Sequence, residues 1–390
     1  MGRDIVWTPA LGVDDAKWRD LARRIGHSHL QPHAADVDGR QRYPAEAMDA
    51  LHEAGITGMF LPVEYGGHGA SLTAFCAVME ELAQSCASTA GVVATFQLGA
   101  MPILVSGSAE QKAEFLTALT RERREISFAL SERHSGSDPA SMRTMAVREG
   151  NGWRIRGEKS WIGNGGRSRT YVVFAQTQAD SGRAGIASFI VDAGTDGVSF
   201  SAPEDKMGMR GTRNCTIHFD CHVSADAVLA PAGQALRSAL DALNVGRITV
   251  AAQSMGMALG SYRAAAARAA NRTAFGRKLL DHQGIGFQLA DVATRISAGR
   301  TLCYEAARAY DAGEDIAVLA AQAKLFCSQA AHEAVDVGVQ VFGGEGFVKP
   351  SLVERLYRDQ RATEIYEGTS EIQKLVIARA IKQGFEERHG

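Results

Sequence analysis

The sequence lacks an excess of charge of either sign. Its 390 residues include 42 lysines and arginines against 44 aspartates and glutamates, which gives a formal net charge of −2. This balance provides no general electrostatic attraction to nucleic acid or to an anionic membrane surface, and we expect neither as a partner. No apolar run of about 20 residues stands out, so we expect no transmembrane helix.

Targeting signals and paired cysteines are also lacking. Residues 1–18 have no apolar signal-peptide core, and Asp4, Asp14 and Asp15 argue against a transit peptide. The six cysteines are scattered without paired spacing, at Cys76, Cys86, Cys215, Cys221, Cys303 and Cys327. We therefore expect a cytoplasmic protein whose cysteines are reduced and mostly packed.

Three sequence motifs of common enzyme chemistry are absent. There is no G-x-G-x-x-G, and the glycines of segment 342–347 have the wrong spacing and follow a predicted helix, so a Rossmann nucleotide site is not expected. The serines, histidines and aspartates form no nucleophile elbow. His27, His29 and His33 have no acidic or thiol partner at matching spacing, which favours a solvated helix face or linker over a metal site. Any dinucleotide must therefore be held in another way.

The pattern of apolar residues divides the chain into three regions. Hydrophobic residues make up 45% of the chain and charged residues 22%, as in ordinary globular proteins. We predict an α+β protein with an N-terminal α-helical domain at 1–122, a middle and mostly antiparallel β domain at 123–233, and a C-terminal four-helix bundle at 234–390. No internal repeat or low-complexity tract interrupts this order.

Within these regions, helical periodicity and alternation locate individual elements. Helices are predicted at 44–54, 72–84, 238–271, 283–312, 315–340 and 370–383. Glycine and proline in segment 61–69 predict a loop, and residues 149–152 predict a hairpin turn. Strands are predicted at 171–176 and 186–191. Another is predicted around Cys215, Ile217 and Phe219, which alternate with polar residues.

Segment 365–373, Ile-Tyr-Glu-Gly-Thr-Ser-Glu-Ile-Gln, places one acid on a glycine-containing turn before a helix. Ser370 and Gln373 have the spacing of a capping box, which predicts that the helix begins here. If Glu367 lies in an apolar slot, desolvation raises its pKa and suits it to take a carbon-bound proton near neutral pH. The segment alone favours the simpler interpretation, an acid at a helix start that is stabilised by the helix dipole.

Motifs along nearly the whole chain resemble the acyl-CoA dehydrogenase family of FAD enzymes. The resemblance rests on their order and separation, together with the Tyr-Glu-Gly-Thr sequence at Glu367. These motifs are segments 63–69, 130–132 with 136–138, 159–162, 206–211, Arg272 with Phe275 and Gly276, His282 with Gln283, and 340–344.

The resemblance implies an FAD cofactor and assigns residues to it. The flavin ring would be bound by residues of two middle-region segments, namely Leu130, Ser131, Gly136, Ser137, Trp161, Ile162 and Gly163. Arg272 would meet the pyrophosphate, a contact suited to guanidinium, with Phe275 nearby in the same motif. The remaining contacts, including those at the adenosine end, would come from Gln283, Gln340, Gly343, Gly344, Thr369 and Glu371. In relatives a neighbouring subunit supplies part of this site, which implies a homo-oligomer, either a dimer or a tetramer.

The implied reaction is α,β-dehydrogenation of an acyl thioester. Glu367 would take the α-proton while the β-hydrogen leaves as hydride to flavin N5. Some relatives place the base on the residue before an arginine in the first long C-terminal helix, but that residue here is Gly246, which favours Glu367. The residues implied at the substrate are Ser137, Asn244, Arg247 and Gly368. The acyl group could be carried by CoA or by a carrier protein, and an electron-transfer flavoprotein could be the electron acceptor.

The chain departs from the family pattern at three places. Arg133 and His134 add positive charge to the flavin loop, either as solvated surface residues or as a receiver for an anionic acyl group or phosphopantetheine. Gly163 replaces a threonine whose hydroxyl could bond near flavin N5, a loss of about 0.5–1.5 kcal/mol. Asn244 replaces a common acid. The alternative functions are a flavin-dependent monooxygenase on the same scaffold and a non-catalytic flavoprotein.

Overall fold

The computed structural model describes the backbone of residues 5–389 and the side chains of residues 5–387. Residues 1–4, including Asp4, lie outside the described residues. The first region is helical, and it contains α1 (Val13–Ile25), α2 (Ala34–Arg40), α3 (Ala45–Glu53), α4 (Leu72–Ser85), α5 (Ala87–Ser106), α6 (Ala109–Gln111) and α7 (Thr117–Arg121).

The predicted helices of this region are present where local sequence defines their ends. Pro44 precedes α3 and Gly55 follows it with a left-handed φ of 74°, as expected for a helix stop. Ser71 caps α4, because its hydroxyl accepts a hydrogen bond from the backbone N–H of Ala74 at 2.9 Å. Asp311, from a later helix, binds the amides of the first turn of α4 and joins the two regions.

Helix α5 corrects the expectation that no apolar segment could span a membrane. It has 20 residues and is long and apolar enough to do so by composition. However, 67% of its most apolar window is buried inside the protein. The helix packs against α4, against strand β1 (Ile126–Ala129) and against the long helix α8 (Ala235–Asn271). It is therefore a core helix, and its apolar character follows from contact with protein on most sides.

The middle region forms an eight-stranded sheet within the described residues. The strands after β1 are β2 (Met145–Glu149), β3 (Gly152–Gly163), β4 (Thr170–Gln176), β5 (Ile186–Asp192), β6 (Val198–Phe200), β7 (Asn214–Ser224) and β8 (Val228–Ala230). Their order is β6-β7-β3-β2-β4-β5-β8, and β1 also pairs with β4. Most pairings are antiparallel, as predicted, but β1 and β2 pair with β4 in parallel.

The predicted hairpin and alternating strand are confirmed. Glu149 pairs with Gly152 across the turn between β2 and β3. Along β7, Cys215, Ile217 and Phe219 are buried and His218 and Asp220 face solvent, although Thr216, predicted on the wet face, is also buried. One face of this part of the sheet therefore lies in the core and the other is wet.

A third, helical region completes the fold as a four-helix bundle. Its elements after α8 are β9 (Thr273–Ala274), β10 (Arg277–Lys278), α9 (Gln283–Asp311), α10 (Ala317–Phe342), α11 (Gly344–Phe347), α12 (Leu352–Gln360) and α13 (Ser370–His389). The four long helices were predicted, whereas the short α12 was not. The exact domain boundaries remain predictions.

Helix α8 is central, because it packs against α4, α5, α9 and α10. Residues 245–259 of α8 are buried without interruption, so the helix has no solvent face there. The polar side chains of Arg247 and Gln253 therefore need hydrogen-bond partners inside the protein. Those partners lie at the candidate active site.

Candidate active site

The turn that carries Glu367 has an unusual backbone. Glu367 has a left-handed φ of 56° and Gly368 follows with a φ of 90°. A non-glycine residue in this conformation requires support from its surroundings. The predicted capping box is wrong. Thr369 accepts the weak cap bond from Ile372 N at 3.4 Å, and the buried hydroxyl of Ser370 has no hydrogen-bond partner.

Three buried side chains bind the carbonyl groups of this turn. Arg247 of α8 donates from Nε to the Glu367 carbonyl at 3.3 Å. Lys324 of α10 donates from Nζ to the Gly368 carbonyl at 2.7 Å. Gln373 donates from Nε2 to both carbonyls, at 3.3 Å for Glu367 and 2.8 Å for Gly368. Its side chain therefore reaches back along the turn, although not to the amide that a capping box would use.

The Glu367 carboxyl is poised as a base. The residue is half-buried, but its Oε2 atom is inaccessible to solvent and has no hydrogen-bond partner. Burial raises its pKa to about 7, and the positive charges of Arg247 and Lys324 act in the opposite direction. A carboxylate with a free oxygen and this pKa can accept a proton near neutral pH.

The carboxyl lies directly over Gly246 in α8. An ideal Cβ built on Gly246 would lie 2.6 Å from Oε2 of Glu367. No larger residue fits at position 246 without moving the acid. The absence of a side chain at the alternative base position thus makes room for the base on the turn.

Tyr366, next to the base, is anchored to α8. Its hydroxyl donates a hydrogen bond to Oε1 of Gln253. Gln253 in turn donates from Nε2 to the carbonyl of Ala87, at the start of α5, at 3.0 Å. This chain of hydrogen bonds links α5, α8 and the Glu367 turn, and it fixes the base relative to both helices.

On the sheet side, a buried ion pair holds the loop of segment 130–138. Lys159 of β3 donates to the Glu132 carboxylate at 2.7 Å and to the Leu130 carbonyl at 3.0 Å. Both side chains of the pair are almost fully buried. Burial lowers the pKa of Lys159 to about 8. Ser160 N also donates to the Ser131 carbonyl at 2.8 Å, so the loop and β3 are bound side by side.

The predicted ring-binding residues lie in these two segments. Gly136 and Ser137 are exposed in the loop, and Leu130 is buried beneath it. A register shift in β3 lies between Lys159 and Ile162, and within it Trp161 has a φ of 59° and is 47% exposed.

Gly163, beside Trp161, is in close contact with protein groups on two sides. Its carbonyl accepts a hydrogen bond from the Ser127 hydroxyl at 2.7 Å. An ideal Cβ on Gly163 would lie 2.9 Å from Oγ1 of Thr95 in α5. The buried amide atoms of the neighbouring Asn164 have no partner. The Cβ side of Gly163 is thus filled by Thr95, and the half-exposed indole of Trp161 is the surface of this segment that a flavin ring can approach.

Arg133 and His134 are both engaged with neighbouring side chains. Arg133 donates to Glu204 at 3.0 Å and its guanidinium lies 6.0 Å from the centre of the Trp161 ring. His134 lies 3.4 Å from the buried Glu132 carboxylate. Both residues are nevertheless exposed, and the Arg133 guanidinium lies beside the Trp161 ring.

The residues predicted at the pyrophosphate and adenosine lie elsewhere. All are exposed, at the ends of the long C-terminal helices: Arg272, Phe275, Gln283, Gln340, Gly343 and Gly344. Arg268 of α8 pairs with Glu345 at 2.7 Å, which brings the 342–345 segment to the end of α8. Within residues 5–387, no hydrogen bond, ion pair or ring contact joins this group to the residues around Trp161.

The remaining predicted residues are at the base turn. Asn244 accepts a hydrogen bond from Arg247 at 2.8 Å, so it orients the guanidinium that binds the turn. Gly368 is part of the turn itself. Thr369 and the exposed Glu371 lie at the start of α13, where a backbone hydrogen bond and then one from the Thr369 side chain lower the pKa of Glu371.

Sequence reasoning missed Lys324, Gln253, and the roles of Lys159 and Gln373. One signal was present for Lys324, a single lysine within the apolar, alanine-rich stretch 317–331. A charged residue in such a stretch is buried only when it has a partner. The sequence did not show which partner, because Lys324 and Gly368 are 44 positions apart.

A cavity of about 690 Å³ lies away from the base and contains none of the predicted site residues. Arg167, Lys206, Arg210 and Arg213 are among the residues that line it. These cations already bind protein groups; for example, Arg167 pairs with Glu125 at 2.9 Å and Arg213 donates to the Gly165 carbonyl at 2.7 Å. The buried acid on the strained turn is therefore the better candidate site.

Comparison with known proteins gives the same assignment along the whole chain. Family models of the acyl-CoA dehydrogenase N-terminal, middle and C-terminal domains match residues 14–123, 127–221 and 233–382. The chain is 40% identical over 365 residues to a probable acyl-CoA dehydrogenase, fadE25, of Mycobacterium leprae, which covers 93% of this chain and 94% of the relative.

Solved structures are similar over almost the full length. Butyryl-CoA dehydrogenase from Megasphaera elsdenii superposes with a TM-score of 0.93 at 34% identity, covering 96% of this chain and 100% of the other. A structure described as an electron transferring flavoprotein of Acidaminococcus fermentans gives a TM-score of 0.94 at 34% identity, covering 96% and 99%. The chain therefore belongs to the acyl-CoA dehydrogenase family of FAD-binding oxidoreductases.

Proposed function

We propose that this protein removes hydrogen from the α and β carbons of an acyl thioester, with Glu367 as the base. One observation carries the proposal: the buried Oε2 atom of Glu367 has no partner, while three side chains fix the turn beneath it. An acid that served only the helix dipole would need neither feature.

Each residue of the base turn has a separate role in the proposed reaction. Glu367 takes the proton as the α C–H bond breaks, and it becomes neutral. FAD, when bound, would supply the two-electron acceptor for the hydrogen and electron pair of the β carbon, which leaves a carbon–carbon double bond in the product. The Glu367 backbone N–H is a candidate donor to the thioester oxygen, where charge develops. Arg247 and Asn244 keep the turn in place.

FAD would be held by two groups of residues. Leu130, Ser131, Gly136, Ser137 and the 161–163 segment would bind the ring. The exposed group at the ends of α8, α9 and α10 would bind the pyrophosphate and adenosine of a cofactor shared between subunits. The separation of the two groups within one chain supports this arrangement.

A homo-oligomer is part of the proposal. Phe275 is 96% exposed and Phe347 is 81% exposed, and both lie in or beside the proposed adenosine group. Large aromatic side chains left in water favour a protein contact. Phe275→Asp and Phe347→Asp should reduce the oligomer mass in sedimentation and weaken FAD retention. Val63→Asp is the control, because Val63 is 72% exposed in the N-terminal region. Equal effects of the three variants would contradict the proposal.

A short acyl group is the proposed substrate. The hydrogen bonds from Tyr366 to Gln253 and from Gln253 to Ala87 join α5 and α8 next to the base, where a short acyl group would need the least room. The butyryl-CoA dehydrogenase that this chain resembles acts, by its name, on a short thioester. We propose that CoA carries the acyl group, and a thioester on a carrier protein is tested as the alternative. We propose an electron-transfer flavoprotein as the electron acceptor.

The test uses the FAD-loaded protein without oxygen. Butyryl-CoA, octanoyl-CoA, palmitoyl-CoA and a butyryl carrier protein are each mixed with it, and loss of flavin absorbance is followed. An electron-acceptor dye then measures turnover. We expect the fastest bleaching with butyryl-CoA and almost none in Glu367→Gln. Normal turnover in Glu367→Gln would overturn the base assignment.

The competing functions predict different outcomes in the same assay. A monooxygenase would consume oxygen with an added reductase and would not need Glu367. A non-catalytic flavoprotein would neither bleach with thioester nor consume oxygen. The unpaired buried acid favours the dehydrogenase over both.

A further inference from the structure

One face of α10 contacts residues 360–368, the segment that contains Glu367. Lys324, Ser328 and His332 are four residues apart and lie on the same side of the helix. The Ser328 carbonyl accepts a hydrogen bond from Gln360 at 2.7 Å, and His332 lies 2.9 Å from Glu364. Lys324, at the base turn, continues this row. Two of the three contacts are made by groups that can carry charge.

Lys324 is fully buried, and burial lowers its pKa to about 8. Among the described residues its ammonium donates one hydrogen bond, to the Gly368 carbonyl. A buried ammonium needs compensating negative charge, and a single neutral carbonyl supplies little. The acids that act on it are Glu367, Glu364 and Glu371, while Arg247 opposes its charge.

Of these three acids, Glu367 is the one whose buried carboxyl is not already paired. Glu364 is paired with His332 at 2.9 Å and with Arg361 at 3.1 Å. Glu371 is exposed at the start of α13. Glu367 has a buried oxygen without a partner, and its backbone is one residue from the carbonyl that Lys324 binds. Lys324 and Glu367 are thus the natural charge partners across this turn.

We propose that Lys324 is a positioning residue for the base, which fixes the turn through the Gly368 carbonyl and holds Glu367 ionised at neutral pH through its positive charge. The inference rests on the proposed role of Glu367. It adds that α10 sets the proton affinity of an acid that lies on another element. Arg247, from α8, acts in the same direction on the opposite side of the turn.

Gln373 provides a matched control, because it binds the same Gly368 carbonyl as Lys324, and also the Glu367 carbonyl, without charge. Lys324→Met removes the cation and one hydrogen bond, Lys324→Arg keeps a cation, and Gln373→Met removes only neutral hydrogen bonds. Each variant is purified with FAD, and its visible spectrum and thermal midpoint are recorded. The rate of flavin bleaching by butyryl-CoA is then measured from pH 5 to pH 10, which extends two units below and three units above the pKa of about 7 of the base.

Lys324→Met should move the acid limb of kcat/KM to higher pH by about 1 unit, because loss of a nearby opposite charge favours the protonated acid. At pH 7 the variant should be about fivefold slower than the wild type, and the two rates should become equal at higher pH. Lys324→Arg should restore the position of the limb. Gln373→Met should lower the rate by the same factor at every pH.

An unshifted limb in Lys324→Met, with FAD bound, would overturn the inference. So would an equal shift in Gln373→Met, because the effect would then come from the turn geometry and not from charge. Glu367→Gln distinguishes failure of the base assignment from failure of the role proposed for Lys324. If that variant keeps full turnover, the proposed base is wrong; if it is inactive while Lys324→Met shows no shift, only the role of Lys324 fails.

Discussion

The carboxyl of Glu367 occupies the space above Gly246, where a Cβ atom would lie 2.6 Å from Oε2. The two residues are on different elements, the base turn and the centre of α8. Each therefore limits the other, since the acid can lie here only while position 246 has no side chain.

Gly246→Ala should displace the Glu367 carboxyl and reduce turnover by about 100-fold, the scale expected when a reacting group moves by about 1 Å. FAD content should be unchanged, because the three atoms nearest to the new Cβ all belong to Glu367. Gly39→Ala in α2 is the control, since a Cβ there meets nothing within 4 Å and α2 carries none of the proposed site residues. Wild-type turnover in Gly246→Ala would show that the acid has room to work elsewhere.

The pH dependence of the wild-type enzyme follows from the pKa of Glu367, about 7. The ionised acid is the active form, and protonation removes it as the pH falls through that value. We therefore expect kcat/KM to decrease about tenfold per pH unit below pH 7 and to level off above it. Anaerobic bleaching rates at low substrate concentration measure this directly. A flat profile from pH 5 to pH 8 would be inconsistent with a base of this pKa.

Lys159→Met should lower the thermal midpoint and release FAD. It leaves the Glu132 carboxylate buried without its cation, which typically costs about 3–5 kcal/mol. Glu132 lies in the loop predicted to bind the flavin ring, so the loop should loosen as well. The midpoint comes from circular dichroism and the FAD content from the visible spectrum.

Arg154→Met is the matched control for Lys159→Met, because Arg154 lies in the same strand and pairs with the largely exposed Asp220 at 2.7 Å. Exposed pairs contribute less than about 1 kcal/mol, so this variant should keep its FAD and most of its stability. Similar losses in both variants would mean that burial of the Glu132–Lys159 pair has no special importance.

Gly163→Thr, which restores the residue usual in the family, should destabilise this protein. The new Cβ would lie 2.9 Å from Oγ1 of Thr95, and such overpacking typically costs about 1–3 kcal/mol. Adding Thr95→Ala should recover most of the loss, so that the two changes are not additive. Thermal midpoints of the two single variants and the double variant test this coupling. Additive effects would show that the two side chains do not meet.

Local signals predicted those parts of the fold that depend on neighbouring residues. Helical periodicity located α3 and α4, and the alternation around Ile217 indicated a half-buried strand. Helix α5 was harder to interpret, because its apolar composition is the same for a core helix and a membrane span. Only its packing against α4, α8 and β1 distinguishes the two.

The sequence by itself determined the family, the three-region order and the acid at position 367, because these follow from short motifs and local periodicity. It also showed that Gly246, before Arg247, cannot be the base. The tertiary structure decided what makes that acid a base. Lys324, Arg247 and Gln373 come from separate helices, and only folding brings them to the carbonyls of one turn. Burial and nearby charge set a pKa, and both depend on residues that are distant in the chain.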